Sequence, residues 1–297
     1  MMLERGDKQK SSVLSRAVRA ALVAGTLATP AHAQDPYAQA DLRFEQLMTR
    51  QSLRERLRTL RLTLPALRAE SPIKGRPEVG RLEDGWRRLY TPLSRGIRER
   101  FEMGGIHAGS IEEGRGIAVR GKGDRSDSFV LDDATLKAAI EALTRMHMEG
   151  KGDAPYDFCV VHTHPRTLPG LPIASIASLP PSASDLKDIV DPGLAAELAE
   201  YVGRSIRYRE AVVDASGMWV FEAVGKPAVE LSQESARRIY DAQLAWARFV
   251  AARPDRPFTV LVAGPEYAQL LATYREFGVV LEYVSHDDAR KMPLCRK

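Results

Sequence analysis

The sequence predicts an α/β fold of the α+β kind, built around a mixed sheet. Three observations carry this. Short apolar and β-branched runs alternate with longer segments whose apolar residues recur every three or four positions. Asp214-Ala215-Ser216-Gly217 is a turn signal between two such runs and marks a hairpin, whereas the C-terminal part reads as a strand–helix–strand unit; both kinds of connection in one chain point to a mixed sheet. The 297 residues are 44% hydrophobic and 28% charged, with no repeat or low-complexity tract, which excludes disordered, collagenous and coiled-coil classes.

The first 33 residues stand apart from that fold. Lys8, Lys10, Arg16 and Arg19 precede the short apolar run 20–28, and Ala31-His32-Ala33 follows. A basic head, a short apolar middle and an A-x-A end make a secretory signal peptide cleaved near Ala33-Gln34. The run is too short to span a bilayer, which takes about 20 apolar residues. The leader holds five basic and two acidic residues, so the chain's net charge of +4 falls to +1 in the remainder, 38 basic against 37 acidic. The basic balance therefore belongs mostly to an export signal, and no nucleic-acid partner is expected. The mature chain is expected to be periplasmic or secreted, with no transmembrane segment. Export permits a Cys159–Cys295 disulfide, but the apolar run around Cys159 makes a buried thiol the plainer expectation.

Residues 36–64 are expected to be helical. Leu53, Leu57, Leu60 and Leu64 form one stripe, Arg50, Arg54, Arg56, Arg58 and Arg61 decorate the rest, and Pro65 ends the pattern. Pro72, Gly75, Pro77 and Gly80 mark 70–82 as a linker. A short helix is expected at 92–101, after Pro92, then strands at 102–109, 115–120 and 127–131. Asp132 or Asp133 caps a helix bearing Leu136, Ile140, Leu143 and Met146, which Gly150 stops. A buried strand follows at 156–161, helices at 182–190 and 193–202, and the hairpin strands at 207–213 and 218–224. A long helix at 232–252, a strand at 258–263, a helix at 265–276 and a strand at 278–284 complete the chain.

Chemistry concentrates in Val161-His162-Thr163-His164-Pro165 and Pro181-Ser182-Ala183-Ser184-Asp185. Two His one residue apart in an extended segment point to the same side and can chelate one ion. Asp185 can supply a third ligand, and so can Asp188, three residues on and on roughly the same helix face. Two His and a carboxylate, with water in the fourth position, form a catalytic zinc pattern, and zinc brings the pKa of its water to about 7. Ser182-x-x-Asp185 is also a helix capping box, which would hold the carboxylate rigidly.

His162-x-His164-Pro165 followed by Ser182-x-x-Asp185 resembles the zinc motif of the JAMM/MPN+ (JAB) metalloprotease family. That family has a catalytic Glu upstream in a segment of the type E-x-x-G-x-x-x-G; here Glu102, Gly105 and Gly109 match it, 60 residues before His162. The resemblance implies an MPN/JAB-like (cytidine-deaminase-like) core within a catalytic domain of 92–297, its motif-bearing part covering about 92–227. Residues 34–91 would be an N-terminal helical extension and linker, and the last 70 or so residues a strand–helix–strand extension. It also implies that His162, His164 and Asp185 bind Zn2+, that Glu102 is the general base, and that Ser182 helps stabilise an oxyanion. The expected substrate is a peptide, a protein or a peptidoglycan-derived amide. The chain departs from the family in its spacer: residues 166–181 number 16, and the apolar Leu168, Leu171, Ile173, Ile176 and Leu179 fit either a groove wall beside the metal or a packed insertion. Glu112 and Glu113 are rival bases that read as loop residues. His107 has the opposite parity to Glu102 and should face away; it reads as structural, as do His147 and His286. The alternative function is a non-catalytic MPN-type binding or scaffold domain, against which the full set of five candidate residues argues.

Overall fold

The computed structural model describes residues 36–67, 77–96, 103–121, 131–150, 152–164, 178–227 and 229–291. The chain divides into two units, Met1–Ala38 and Gln39–Lys297, and the second contains every strand among the described residues. Its centre is a seven-stranded mixed sheet in the order β1-β3-β2-β4-β5-β6-β7. The strands are β1 (Gly80–Arg81), β2 (Gly104–Ser110), β3 (Arg115–Arg120), β4 (Tyr156–Thr163), β5 (Ile206–Val213), β6 (Gly217–Ala223) and β7 (Val279–Ser285). Only β4 and β5 run parallel; every other pair is antiparallel. The fold is thus mixed α/β, as the alternation of periods indicated.

Helices cover both faces of the sheet, which is why β4 is buried along all eight residues. One face carries Tyr156, Phe158 and Val160 of β4, Tyr208 and Val212 of β5, and Trp219 and Phe221 of β6, in one core with α2 (Leu53–Leu67), α4 (Asp133–Glu149), α5 (Ala183–Ile189), α6 (Leu194–Val202), α7 (Gln233–Ala251) and α9 (Pro265–Glu276). The opposite face carries Cys159, Val161, Ala211, Val213 and Met218 against α3 (Leu82–Gly96) and Ala289 of α10 (His286–Lys291). Even and odd residues of β4 and β5 divide cleanly between the cores, as the two-residue period of a strand requires. Cys159 is a buried thiol on the second face, and Cys295 lies outside the described residues. Among the described residues no helix is long and apolar enough to cross a membrane.

Four elements differ from the sequence expectation. The helix expected over 36–64 is two, α1 (Pro36–Thr49) and α2. The break is a capping box: the Glu55 amide donates to Ser52 Oγ (3.2 Å) and the Ser52 amide to Glu55 Oε2 (2.8 Å). Pro65 does not end α2, which runs on to Leu67; a proline near a helix end forfeits little. The linker expected over 70–82 ends early, because Gly80–Arg81 pairs with β3. The helix expected from Pro92 begins at Leu82 and carries Pro92 inside it. Its buried stripe, Trp86, Leu89, Tyr90 and Leu93, has helical spacing that the proline conceals. Finally, 258–263 is not a strand but a helical turn, α8 (Phe258–Leu261). Phe258, Leu261 and Val262 turn inward at spacings of three and four, while Thr259 and Val260 are exposed, so helix–helix–strand replaces strand–helix–strand at the C-terminus. Residues 127–130 of the expected third strand lie outside the described residues, and Leu131 is not in a strand.

The motif glycines have a packing reason. A Cβ on Gly105 would stand 2.3 Å from the Val119 carbonyl oxygen and 2.8 Å from Leu89 Cδ1. On Gly109 it would stand 2.3 Å from the Arg115 carbonyl oxygen and 2.8 Å from Leu82 Cδ1. Both positions let α3 lie close on β2.

Candidate metal centre

The parallel pair β4–β5 sits mid-sheet, and its carboxyl end brings the two candidate histidines together. His162, in β4, lies between Gly104 of β2 and Val212 of β5. Thr163 donates its amide to the Met103 carbonyl (2.8 Å) and accepts the Met103 amide on Oγ1 (2.9 Å). The His164 amide donates to the Val213 carbonyl (3.0 Å). The backbone is therefore pinned from both neighbouring strands through the H-x-H segment. Both imidazoles are buried, and their ring centroids lie 5.2 Å apart.

Asp185 reaches them from the first turn of α5. Its Oδ1 lies 3.1 Å from His162 Nε2 and its Oδ2 lies 3.2 Å from His164 Nε2. Ser182, the residue before α5, donates both its amide and its hydroxyl (2.7 Å) to Asp185 Oδ2, and the Asp185 amide returns a bond to the Ser182 carbonyl (3.0 Å). Burial works to raise the Asp185 carboxyl, but the facing His164 and His162 rings outweigh it and hold the carboxyl well below the usual carboxylate range. One donor atom from each of His162, His164 and Asp185 lies within 4.8 Å of the others. Two imidazole nitrogens and an ionised carboxylate, buried and converging, are a donor set that fits a divalent transition ion.

The rival residues are placed elsewhere. Asp188 accepts the Leu53 amide on Oδ1 (2.9 Å), so it serves the start of α2; burial raises its carboxyl. Glu112 is exposed in the β2–β3 turn, at the far end of β2 from Gly104, and Glu113 pairs there with Arg204 (3.1 Å). His107 lies on the opposite face from His162, against the Trp86 ring (5.3 Å). His147 packs on Gly203, and His286 Nδ1 is 2.6 Å from Tyr90 Oη. Glu102 lies outside the described residues; Met103, bonded to Thr163, is its covalent neighbour. Ser182 is in place, and its hydroxyl engages Asp185 in this structure. Of the long spacer, residues 165–177 lie outside the described residues, while 178–181 are buried and anchored.

Sequence reasoning missed Glu210 on β5. It is buried on the His162 face, accepts from Tyr208 Oη (2.7 Å), and burial together with Asp188 raises its carboxyl well above the usual range. The available signal was weak: Glu210 directly precedes the apolar run Ala211-Val212-Val213, but follows the charged Arg209.

No protein-family model matches the chain, and neither does any curated protein or solved structure.

Proposed function

We propose that this chain is a zinc-dependent hydrolase of amide bonds, a metallopeptidase or isopeptidase with an MPN/JAB-like core similar to the JAMM/MPN+ family, acting after export. The observation that carries the reading is the convergence of His162, His164 and Asp185 in one buried cluster. Their placement supports it further: the pair sits at the carboxyl end of a central strand, the carboxylate on a capped helix, and the glycine-bearing strand β2 alongside.

His162 and His164 would hold the ion through Nε2, and Asp185 through its carboxylate. Bound zinc supplies a water acidified to near neutral pH and polarises a substrate carbonyl. Glu102 takes the proton of the attacking water and hands it to the leaving amine. Ser182 orients the Asp185 carboxylate and, as substrate reacts, helps bear the negative oxygen. The substrate class is a peptide, a protein or a cell-wall amide met outside the cytoplasm.

Metal analysis of the purified protein tests this. Near-stoichiometric zinc is expected in the parent, with loss in His164→Ala and retention in Glu102→Gln. Hydrolysis of a panel of peptides and cell-wall fragments should occur with the parent and fail with Glu102→Gln. A parent that takes up no zinc even when supplemented would overturn the reading.

A further inference from the structure

The segment 178–182 delivers Asp185 to the histidines, and its own anchors come from the C-terminal third of the chain. The Leu179 amide donates to Asp214 Oδ2 (2.9 Å). Ser178 Oγ accepts from Trp219 Nε1 (3.2 Å) and Trp246 Nε1 (3.4 Å). Pro180 and Pro181 have no N–H to donate, and both are buried. Their carbonyls are taken by Gln243 Nε2 (2.7 Å) and by Tyr274 Oη. Gln243, on α7, is 4% exposed and Tyr274, on α9, is fully buried.

We propose that Tyr274 and Gln243 are positioning residues for the metal centre: by holding the two proline carbonyls they set where α5 begins, and hence where the Asp185 carboxylate stands relative to His162 and His164. The inference rests on the metal reading above. The histidines belong to the sheet and the carboxylate to a seven-residue helix. The bonds between Ser182 and Asp185 orient the carboxylate on its own helix and say nothing of the sheet. The far end of α5 is held separately, through Asp188 and Leu53. At the ligand end, Ala183 and Leu186 pack in the core without fixing the start of the helix along its axis; the hydrogen bonds there run to 178–181, and three of them come from α7 and α9, helices remote from the metal motif. Outer partners of metal ligands set affinity because a misplaced ligand binds less well; their loss costs roughly 10–100-fold.

The test compares full-length parent, Tyr274→Phe, Gln243→Met and Leu143→Ala. The first two variants keep side-chain bulk and remove one donor. Leu143 is fully buried on α4, away from the segment, so its variant reports a purely structural loss. Zinc affinity is measured by chelator competition, thermal stability by melting, and ligand geometry by the visible absorption of the Co(II)-loaded protein. Tyr274→Phe and Gln243→Met should each bind zinc about tenfold or more weakly and alter the Co(II) bands, while Leu143→Ala lowers the melting temperature with affinity and bands unchanged. Parent-like affinity and bands in both donor variants would overturn the positioning role and leave the metal reading standing. Losses that merely follow melting temperature, Leu143→Ala included, would overturn it likewise. A parent that binds no zinc overturns both.

Discussion

His107 and His162 occupy neighbouring strands but opposite faces, and burial acts on them in different company. His162 faces a carboxylate. His107 faces Trp86 and the Leu82 carbonyl, to which its Nε2 donates (3.0 Å), and burial lowers its pKa to about 4. The neutral ring is the folded form. An unfolded His titrates near 6.5, so between about pH 6.5 and 4 the unfolded chain takes up a proton that the folded chain refuses. Stability is therefore fully present above about pH 6.5 and falls as pH drops toward 4, by roughly 3 kcal/mol in all. Denaturant melts across that range should show the acid slope in the parent and a shallower one in His107→Gln; equal slopes would exclude His107 as its source. Asp188 supports a second expectation at this scale. Asp188→Ala removes the acceptor of the Leu53 amide and should cost about 1 kcal/mol, the usual cost of losing a helix cap, with zinc retained. Zinc loss in that variant alongside zinc binding by Asp185→Ala would reverse the ligand assignment.

At the scale of elements, α3 shows how much a packed helix depends on what lies beneath it. It rests on β2 and β3 through Leu82 and Leu89, and the glycines of β2 leave no room for a methyl group. Gly105→Ala should destabilise by about 1–3 kcal/mol, the range for overpacking a core. Leu93→Ala, at a fully buried position, should cost about 2–5 kcal/mol by leaving a cavity. Urea titration of each variant measures both. The two histidines, their shared direction and the capped Asp185 were legible in the sequence, because strand parity and the S-x-x-D pattern are local. The start of α3 was not: Pro92 looks like a helix start, and only contact with the sheet shows that the helix carries it inside. The choice of Asp185 over Asp188 was not local either. Both share a face of α5, and the difference is that α2 claims Asp188.

At the scale of the whole molecule, the C-terminal helices are part of the core that carries the candidate site. Trp219 of β6 packs edge-on against Trp246 of α7 (5.9 Å) and against Tyr283 of β7 (5.2 Å), and β7 pairs along all of β6. A fragment ending at residue 227 would expose Trp219, Phe221 and the open edge of β6 to water. Such a fragment is expected to lose its fixed tertiary packing, read as loss of near-UV circular dichroism and a broad melt; a cooperative unfolding transition in it would show that the motif-bearing part folds alone.

Local pattern in the sequence was enough for the alternation of strands and helices, the hairpin at 214–217, the shared direction of His162 and His164, and the ligand types available for a metal. Each of those depends on a period or a turn within a few residues, which chain connectivity alone enforces. Long-range packing was needed to make α8 helical, to start α3 at Leu82, to occupy Asp188 elsewhere, and to hold the prolines before Asp185 by Gln243 and Tyr274. The last two outcomes join residues 63 to 135 apart in the chain, and all four depend on which surfaces meet, where no local pattern records the partner.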